Sequence, residues 1–563
     1  MKSLRAFYFW HPTSPASPPV LSLSLMAAIP PVNEFFLMNK PTSRTVPNLL
    51  DELAYLQPEQ PFVIDGENCL TYGDFRNLVR THAKGLLSIG VKRGDRIAIL
   101  MGNRAEWLIA YFAIMNVGAE VVALNTMASP RELAYQLTHA KITVIIFEPW
   151  FRDRDFWEVL GEVKREYGLD PLPTFLPVDT GPASALTFGQ LPELGALVKE
   201  DALAVSQAKV SSEDTACILY TSGSTALPKG VPLHHWAMID NAWSIGERQH
   251  LTPDDRLWLA VALFWSYGCV NALFALMTHG GAIVLQHHFE PGEALRLIEC
   301  ERCTVFYGTA AMSRPMYEHP DRPNRDLSSL RTGTTIGTPE QVQLAVDLGA
   351  SEICNVYGLT EAFGNSCVID AKMPLERRLV SSGPVLDGVK IKIIDVDTEE
   401  NVAAGEMGEI RLHGHLTNGY LNDPERNAEA FDSRGYLRTG DLGTLDEEGF
   451  LTYRGRLKEM VKTGGINVAP AEIEAVYSRH EAIAEIYVTG IPDDRLDEAL
   501  AEVIVSKGEP PTKTALVEFG RKVLAGYKVP RHYRFVMAKD LPLTTTGKLK
   551  RNGLADLFKE DNF

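Results

Sequence analysis

From Leu70 onward the chain alternates apolar strand-like runs with amphipathic helix-like stretches joined by short links. That alternation limits the fold more than any other feature. Residues 71–89 carry apolar positions at helical spacing, Arg96-Ile-Ala-Ile-Leu-Met101 reads as a buried strand, 105–117 as a helix and 120–124 as a strand. Residues 141–147 form a further β-branched run. Strands joined through helices pair in parallel, because a parallel pair needs a crossover and a helix supplies it. The fold class expected is therefore α/β, with a large N-terminal domain of parallel-rich sheets and helices. Residues 150–210 contain Pro171, Pro173, Pro177 and Pro182 and are expected to be loop-rich.

The run leads to Ala216-Cys-Ile-Leu-Tyr-Thr-Ser-Gly-Ser-Thr-Ala-Leu-Pro-Lys-Gly-Val231. Cys217 to Tyr220 reads as a short buried strand, and the hydroxyls, glycines and Lys229 that follow cannot pack as core. Glycine lets backbone N–H groups approach an anion, hydroxyls add donors, and lysine adds charge, so the loop reads as a phosphate grip. It is not a Walker A loop, since Pro228 follows Gly223 where that pattern needs Gly-Lys-Ser/Thr. A solvated Ser/Thr loop is the alternative that composition alone leaves open.

The alternation then resumes, with an apolar segment at 257–264, a helix through Met277, a strand at 282–285, a helix from Pro291 and the strand Val305-Phe-Tyr. Two later strands end in polar residues: Leu330-Arg-Thr-Gly-Thr-Thr-Ile-Gly-Thr-Pro and Ile353-Cys-Asn-Val-Tyr-Gly-Leu-Thr-Glu-Ala. Open α/β sheets place ligands beyond such strand ends. Glu361 there is a magnesium candidate, with Thr225 of the phosphate loop as a second oxygen donor. An ordinary carboxylate at a helix start is the alternative.

Residues 385–457 change character, with alternating Lys390-Ile-Lys-Ile-Ile and Glu409-Ile-Arg-Leu-His punctuated by glycine, and predict a small β-barrel-like subdomain. It carries Asp441, able to accept two hydrogen bonds from a vicinal diol. Residues 458–563 form a compact α+β unit ending in a loop with Lys548.

A net charge of −17 over 563 residues argues against nucleic acid as a partner. No apolar run reaches the ~20 residues that a membrane span needs. Seven scattered cysteines, an odd number, fit a reducing compartment and a cytoplasmic location. Cys300 and Cys303 make a lone CxxC without a second pair and are expected to be buried thiols at a helix end rather than zinc ligands. Residues 1–45, rich in Pro and Ser, read as a disordered extension, or as translation from a start upstream of Met26 or Met38.

Five motifs in order, Tyr-Thr-Ser-Gly-Ser-Thr-Ala-Leu-Pro-Lys-Gly, Tyr-Gly-Leu-Thr-Glu, Tyr-Leu-Arg-Thr-Gly-Asp, Gly-Arg-Leu-Lys-Glu with Lys-Thr-Gly-Gly-Ile-Asn-Val, and Thr-Thr-Gly-Lys-Leu-Lys-Arg, resemble the adenylate-forming superfamily. That superfamily contains acyl-CoA synthetases, peptide-synthetase adenylation domains and luciferases. The resemblance spans roughly residues 45 to 560. It implies an ATP-dependent acid:CoA ligase that makes an acyl-adenylate and pyrophosphate, then a thioester and AMP, with magnesium and coenzyme A. By the same resemblance Thr221, Ser222, Gly223, Ser224, Thr225 and Lys229 hold the β and γ phosphates, Thr360 the α-phosphate and Glu361 the metal. Tyr357 stacks on adenine, Gly358 belongs to the same nucleotide site, Gly337, Thr338 and Pro339 run along the adenine edge, and Asp441 and Arg456 hold the ribose. Lys548 bridges carboxylate and α-phosphate. The resemblance further implies an N-terminal domain of 46–457 and a mobile C-terminal domain from 458 with its hinge at Lys458. Rotation about that hinge exchanges Lys548 for a Gly464-Gly465 turn that lines the CoA tunnel.

Three departures bear on the acid. Trp265 stands where many acyl and aryl ligases carry histidine and where peptide-synthetase domains carry an amine-pairing aspartate. Its presence disfavours amino acids. Ile336 replaces a glycine and should narrow the acyl pocket, and Ala226 replaces a frequent glycine of the phosphate loop. Asn355 resembles some aryl-carboxylate ligases. Simple core packing stays open for Trp265 and Ile336. The expected acid is short- or medium-chain, branched or aryl. A carrier-protein loader is the alternative activity, and a homodimer is compatible with the sequence.

Overall fold

A computed structural model describes residues 39–169, 171–179, 186–221, 228–463, 466–493, 496–522, 524, 526–543 and 549–559. The extension expected over 1–45 lies mainly outside these residues. Its last six belong to the compact unit of residues 40–563. Lys40 and Arg44 both pair with Asp240, at 2.9 and 2.5 Å, and Thr45 is the N-cap of the helix Val46–Leu56.

The helix expected over 71–89 forms as Tyr72–Ser88 because its start is over-determined. Thr71 Oγ1 accepts from Asp74 N at 3.1 Å while Asp74 Oδ2 accepts from Thr71 N at 3.3 Å. The strands Arg96–Leu100, Glu120–Ala123 and Val144–Phe147 pair in parallel as the alternation requires. They extend into a six-stranded sheet with Thr174–Pro177 at one edge and Thr215–Thr221 then Lys229–His234 at the other.

Residues 150–210 depart from the loop-rich expectation. They hold the helices Phe156–Tyr167, Leu191–Gly195 and Glu200–Gln207 as well as the edge strand. Proline is no obstacle there, because Pro177 closes an edge strand and Pro192 sits in the first turn of a helix, positions where its missing N–H costs nothing.

An eight-stranded sheet carries the second half of the alternation, ordered Cys367–Val368, Glu352–Tyr357, Thr332–Thr335, Val305–Tyr307, Arg256–Leu259, Ala282–Leu285, Pro61–Asp65, Asn68–Thr71. The helix Ala105–Asn116 is apolar on nearly every face because its core is shared by both sheets, with Ile97 and Ile99 from one and Leu257, Leu259 and Ile283 from the other. Truncating fully buried Trp107 to Ala in that layer would cost about 3–5 kcal/mol.

The subdomain expected to be barrel-like is a four-stranded antiparallel meander, Val389–Ile394, Gly408–Gly414, Leu437–Leu445, Leu451–Arg456. No pairing between its outer strands closes it among the described residues. The separate small C-terminal domain has a five-stranded sheet built around Asp497–Ser506, with its own apolar cluster including Ile473, Tyr477 and Leu516 from the helices Pro470–Tyr477 and Lys513–Arg521.

Of the two CxxC thiols, Cys303 is buried and Cys300 is exposed, against expectation for the latter. Cys300 ends the helix Pro291–Cys300 on its solvent face beside Arg296, so helical phase rather than composition sets its exposure.

Candidate active site

Thr221 and Lys229 face each other as register partners at the end of an antiparallel pair. The tip between them, with Ser222, Gly223, Ser224, Thr225 and Ala226, lies outside the described residues, as do Gly464, Gly465 and Lys548. Thr221 Oγ1 is buried without a hydrogen-bond partner. That hydroxyl keeps its capacity to donate a hydrogen bond.

Glu361 reaches the same place from the other sheet. Gly358 follows the strand Glu352–Tyr357, and a Cβ there would fall 1.8 Å from Gly364 O, so only glycine lets the chain double back. The returning turn is fastened by two buried amides. Asn241 and Asn271 each donate to Phe363 O, at 3.1 and 3.0 Å, and Asn241 also donates to Asn365 O at 3.0 Å. Thr360 and Glu361 are thereby held on the 3-10 turn Thr360–Ala362, with Thr360 Oγ1 3.1 Å from Ser266 Oγ.

Tyr420 joins the two groups, a residue the motif reading missed. Its hydroxyl donates to Glu361 Oε1 at 2.9 Å and accepts from Lys229 Nζ at 3.4 Å. The segment bearing it is tied to both sides, since Thr417 N donates to Glu361 O at 2.8 Å and Leu421 N to Gly230 O at 2.9 Å. Burial pulls the Lys229 ammonium down, and the Glu361 charge opposes that fall. The signal in sequence was slight: an aromatic after Gly419, in the loop beyond a β-strand.

A second cluster lies where the meander meets the strand Glu352–Tyr357. Tyr357 donates to Asp441 Oδ2 at 3.0 Å and stacks on Tyr453 with ring centroids 5.9 Å apart. Asp441 and Arg456 are neighbours across the meander, Nε to Oδ1 at 3.2 Å. Asp441 Oδ1 nevertheless receives no well-directed hydrogen bond although it is buried. Burial pushes the Asp441 carboxyl up to about 6, against the pull of Arg456. The arginine loses that contest because its side chain is 61 % exposed and its charge is screened.

The proposed acid-binding residues come from three elements. Trp265 lies in the turn after the strand Arg256–Leu259, which ends earlier than the apolar run implied. Asn103 pins that turn, donating to Val261 O and accepting from Leu263 N, both at 2.9 Å. The helix expected through Met277 begins as a π-helical segment, Tyr267–Ala272, and Tyr267 donates to Thr334 O at 2.7 Å. Asn355 is buried and in register with Thr335, next to Ile336. Ile336 is 45 % exposed, which removes simple core packing as its reason. Gly337 and Thr338 lead into the helix Pro339–Asp347, where Thr338 N donates to Gln341 Oε1 at 3.0 Å.

Residues 50–421 match the AMP-binding enzyme family, and 472–548 match the AMP-binding enzyme C-terminal domain. The chain belongs to the AMP-binding enzyme family. Acyl-CoA ligase sidI of Aspergillus fumigatus is 33 % identical over 506 residues, covering 85 % of each chain. The medium-chain acyl-CoA ligase ACSF2, mitochondrial, of Danio rerio is 30 % identical over 540 residues, 91 % of this chain and 88 % of that one. The o-succinylbenzoate CoA synthetase of Bacillus subtilis, solved with an acyl-adenylate intermediate, superposes with a TM-score of 0.75 at 28 % identity, over 90 % of this chain and 98 % of that one. This AMP-binding enzyme is accordingly an acyl-CoA synthetase of the adenylate-forming superfamily and an ATP-dependent acid:CoA ligase.

In this AMP-binding enzyme Lys458 is exposed in the 3-10 turn Leu457–Glu459 that leads from the meander into the C-terminal domain. Arg551 binds both oxygens of Glu474 at 2.8 Å and approaches Glu459 at 3.2 Å. A cavity of 210 Å³ lies here, lined by Tyr453, Arg456, Glu459, Pro470 and Arg551 among others. Among the described residues no helix is long and apolar enough to cross a membrane.

Proposed function

We propose that the ligase works through an acyl-adenylate on a compact acid, short- or medium-chain, branched or aryl, and that the clusters around Lys229 and Asp441 hold the two ends of ATP. The observation carrying this reading is the convergence of Lys229 and Glu361, from different sheets, on one phenol. In the first step a carboxylate oxygen attacks the α-phosphorus and pyrophosphate leaves. Anion approaches anion, so the barrier falls only if fixed positive groups meet the charge. Lys229, Thr221 and the loop residues 222–225 would hold the departing phosphates, Thr360 the α-phosphate, and Lys548 the oxygens between which the new bond forms. Tyr357, with Gly337 to Pro339 beside it, would offer the adenine surface. Asp441 and Arg456 would take the ribose hydroxyls, and the unfilled Asp441 Oδ1 supports this.

Magnesium fits the donors present, since Glu361 is a hard carboxylate beside a phosphate grip and this ion is usually held by one or two carboxylates plus phosphates. When bound it would neutralise phosphate charge. Glu361 would hold it, with Thr225 as a second oxygen.

In the second step the CoA thiol attacks the acyl carbonyl, AMP leaves and the thiol proton passes to solvent. The domain beyond Lys458 would turn between steps, withdrawing Lys548 and bringing Gly464 and Gly465 to the thiol channel. Trp265, Ile336 and Asn355 would shape the acid site. The odd number and scattered placement of the cysteines support a reducing compartment such as the cytoplasm.

The test is a panel of short, medium, branched and aryl carboxylates assayed for AMP release with and without CoA. Thioester formation with a compact acid supports the reading. Preference for a long straight acid, or transfer only to a carrier protein, overturns it.

A further inference from the structure

Between the lysine and the carboxylate just described stands a single hydroxyl. We infer that Tyr420 is a positioning residue for the nucleotide step, holding Lys229 and Glu361 apart and aiming the Glu361 carboxylate at the magnesium–triphosphate. The inference rests on the assignment of Glu361 to the metal and adds the device that keeps it available.

Tyr420 is itself rigid. The residue is 7 % exposed, its backbone N–H donates to Asn427 Oδ1 at 2.6 Å, and Asn427 Nδ2 donates back to its carbonyl at 3.1 Å. Gly419 takes a φ of +132°, and a Cβ there would meet Asn427 Oδ1 at 2.7 Å, so the approach to Tyr420 is fixed by the backbone as well. The phenol thus occupies a determined point rather than following its partners.

Its chemistry suits the point. A lysine ammonium and a buried carboxylate converging on one point would otherwise be drawn into a direct ion pair, and each would be spent on the other. A hydroxyl can serve both, donating to the carboxylate and accepting from the ammonium. Lys229 Nζ also lies 4.6 Å from the Tyr420 ring centroid, where the aromatic face attracts a cation without neutralising it. With Oε1 engaged at 2.9 Å, the Glu361 carboxylate keeps one orientation.

The test measures binding of a non-hydrolysable α,β-methylene ATP to the full chain over a magnesium series, for wild type, Tyr420→Phe and Glu361→Gln. The phenylalanine keeps the ring and its contact with Lys229 and removes only the hydroxyl. With the carboxylate no longer held in one orientation, the magnesium concentration for half-maximal binding should rise about tenfold. Binding of AMP without magnesium should stay near wild type, which a merely structural role would not produce, while the thermal midpoint falls because a buried carboxylate loses its donor. If Glu361→Gln shifts the magnesium dependence and Tyr420→Phe does not, the positioning role is overturned. An equal loss of magnesium-free AMP binding in Tyr420→Phe overturns it too, as a packing effect. If Glu361→Gln leaves the magnesium dependence untouched, the metal assignment fails and the inference falls with it.

Discussion

Tyr357 donates its phenolic proton to Asp441 Oδ2 at 3.0 Å, joining a strand of the eight-stranded sheet to the meander. One bond couples the aromatic surface to the carboxylate proposed for the ribose. Asp441 sits at about 6 because burial disfavours its charge. The sign follows: the folded state keeps a proton that the unfolded chain has already lost, so this group subtracts stability as pH rises toward 6. The ribose needs the ionised form as acceptor, so AMP affinity should rise through pH about 6 and fall up to tenfold per unit below it. Calorimetric AMP binding across that range checks this, with Asp441→Asn flat. Tyr357→Phe removes a donor that favours the charged form and should move the inflection upward. A wild-type profile without an inflection would sink the ribose role.

Lys548 and Lys458 should separate the two half-reactions. Lys548→Ala is expected to abolish acyl-adenylate formation while supplied acyl-adenylate and CoA still give thioester. Lys458→Pro should keep adenylation and lose thioesterification, because proline fixes φ where the hinge must change it. Pyrophosphate exchange and thioester assays read the halves. Equal losses in both would refute the division of labour.

Ile336 is 45 % exposed beside the end of the strand Thr332–Thr335, as expected of a side chain that lines an open space. Ile336→Gly should extend the accepted chain length, with kcat/KM for longer acids gaining about 10–200-fold if one methylene-scale clash is relieved. An unchanged chain-length profile removes Ile336 from the acid pocket.

Glu502 has no accessible surface, and neither carboxylate oxygen has a hydrogen-bond partner. Burial pushes it up to about 9. The native state then holds a proton that the unfolded chain releases above the usual carboxylate range, so stability should fall steadily with rising pH until pH nears 9. Glu502→Gln should flatten that decline and raise the melting temperature of the C-terminal domain at pH 8. Parallel pH profiles for the two proteins would contradict the neutral carboxyl.

Periodicity and order of motifs reach far into this protein. The helix of residues 72–88 and the strands at 96–100 and 282–285 form where apolar spacing puts them, because local pattern and burial agree. The same reading underrated residues 150–210, where prolines stand at tolerated positions of real elements. It also buried Cys300, because one residue's phase on a short helix is finer than a composition argument resolves.

The sequence by itself determined the family, through the order of its motifs, and offered the phosphate loop, Glu361 and Asp441 as candidates for the chemistry, since each is a local run of residue types with a local physical reason. Tertiary structure alone decided how they meet. Tyr420 lies far along the chain from both Lys229 and Glu361, and Tyr357 far from Asp441, so neither hydrogen bond leaves a trace in neighbouring residues. Such contacts exist only because two sheets and a meander bring their loops to one place, a relation that spacing along a chain does not encode.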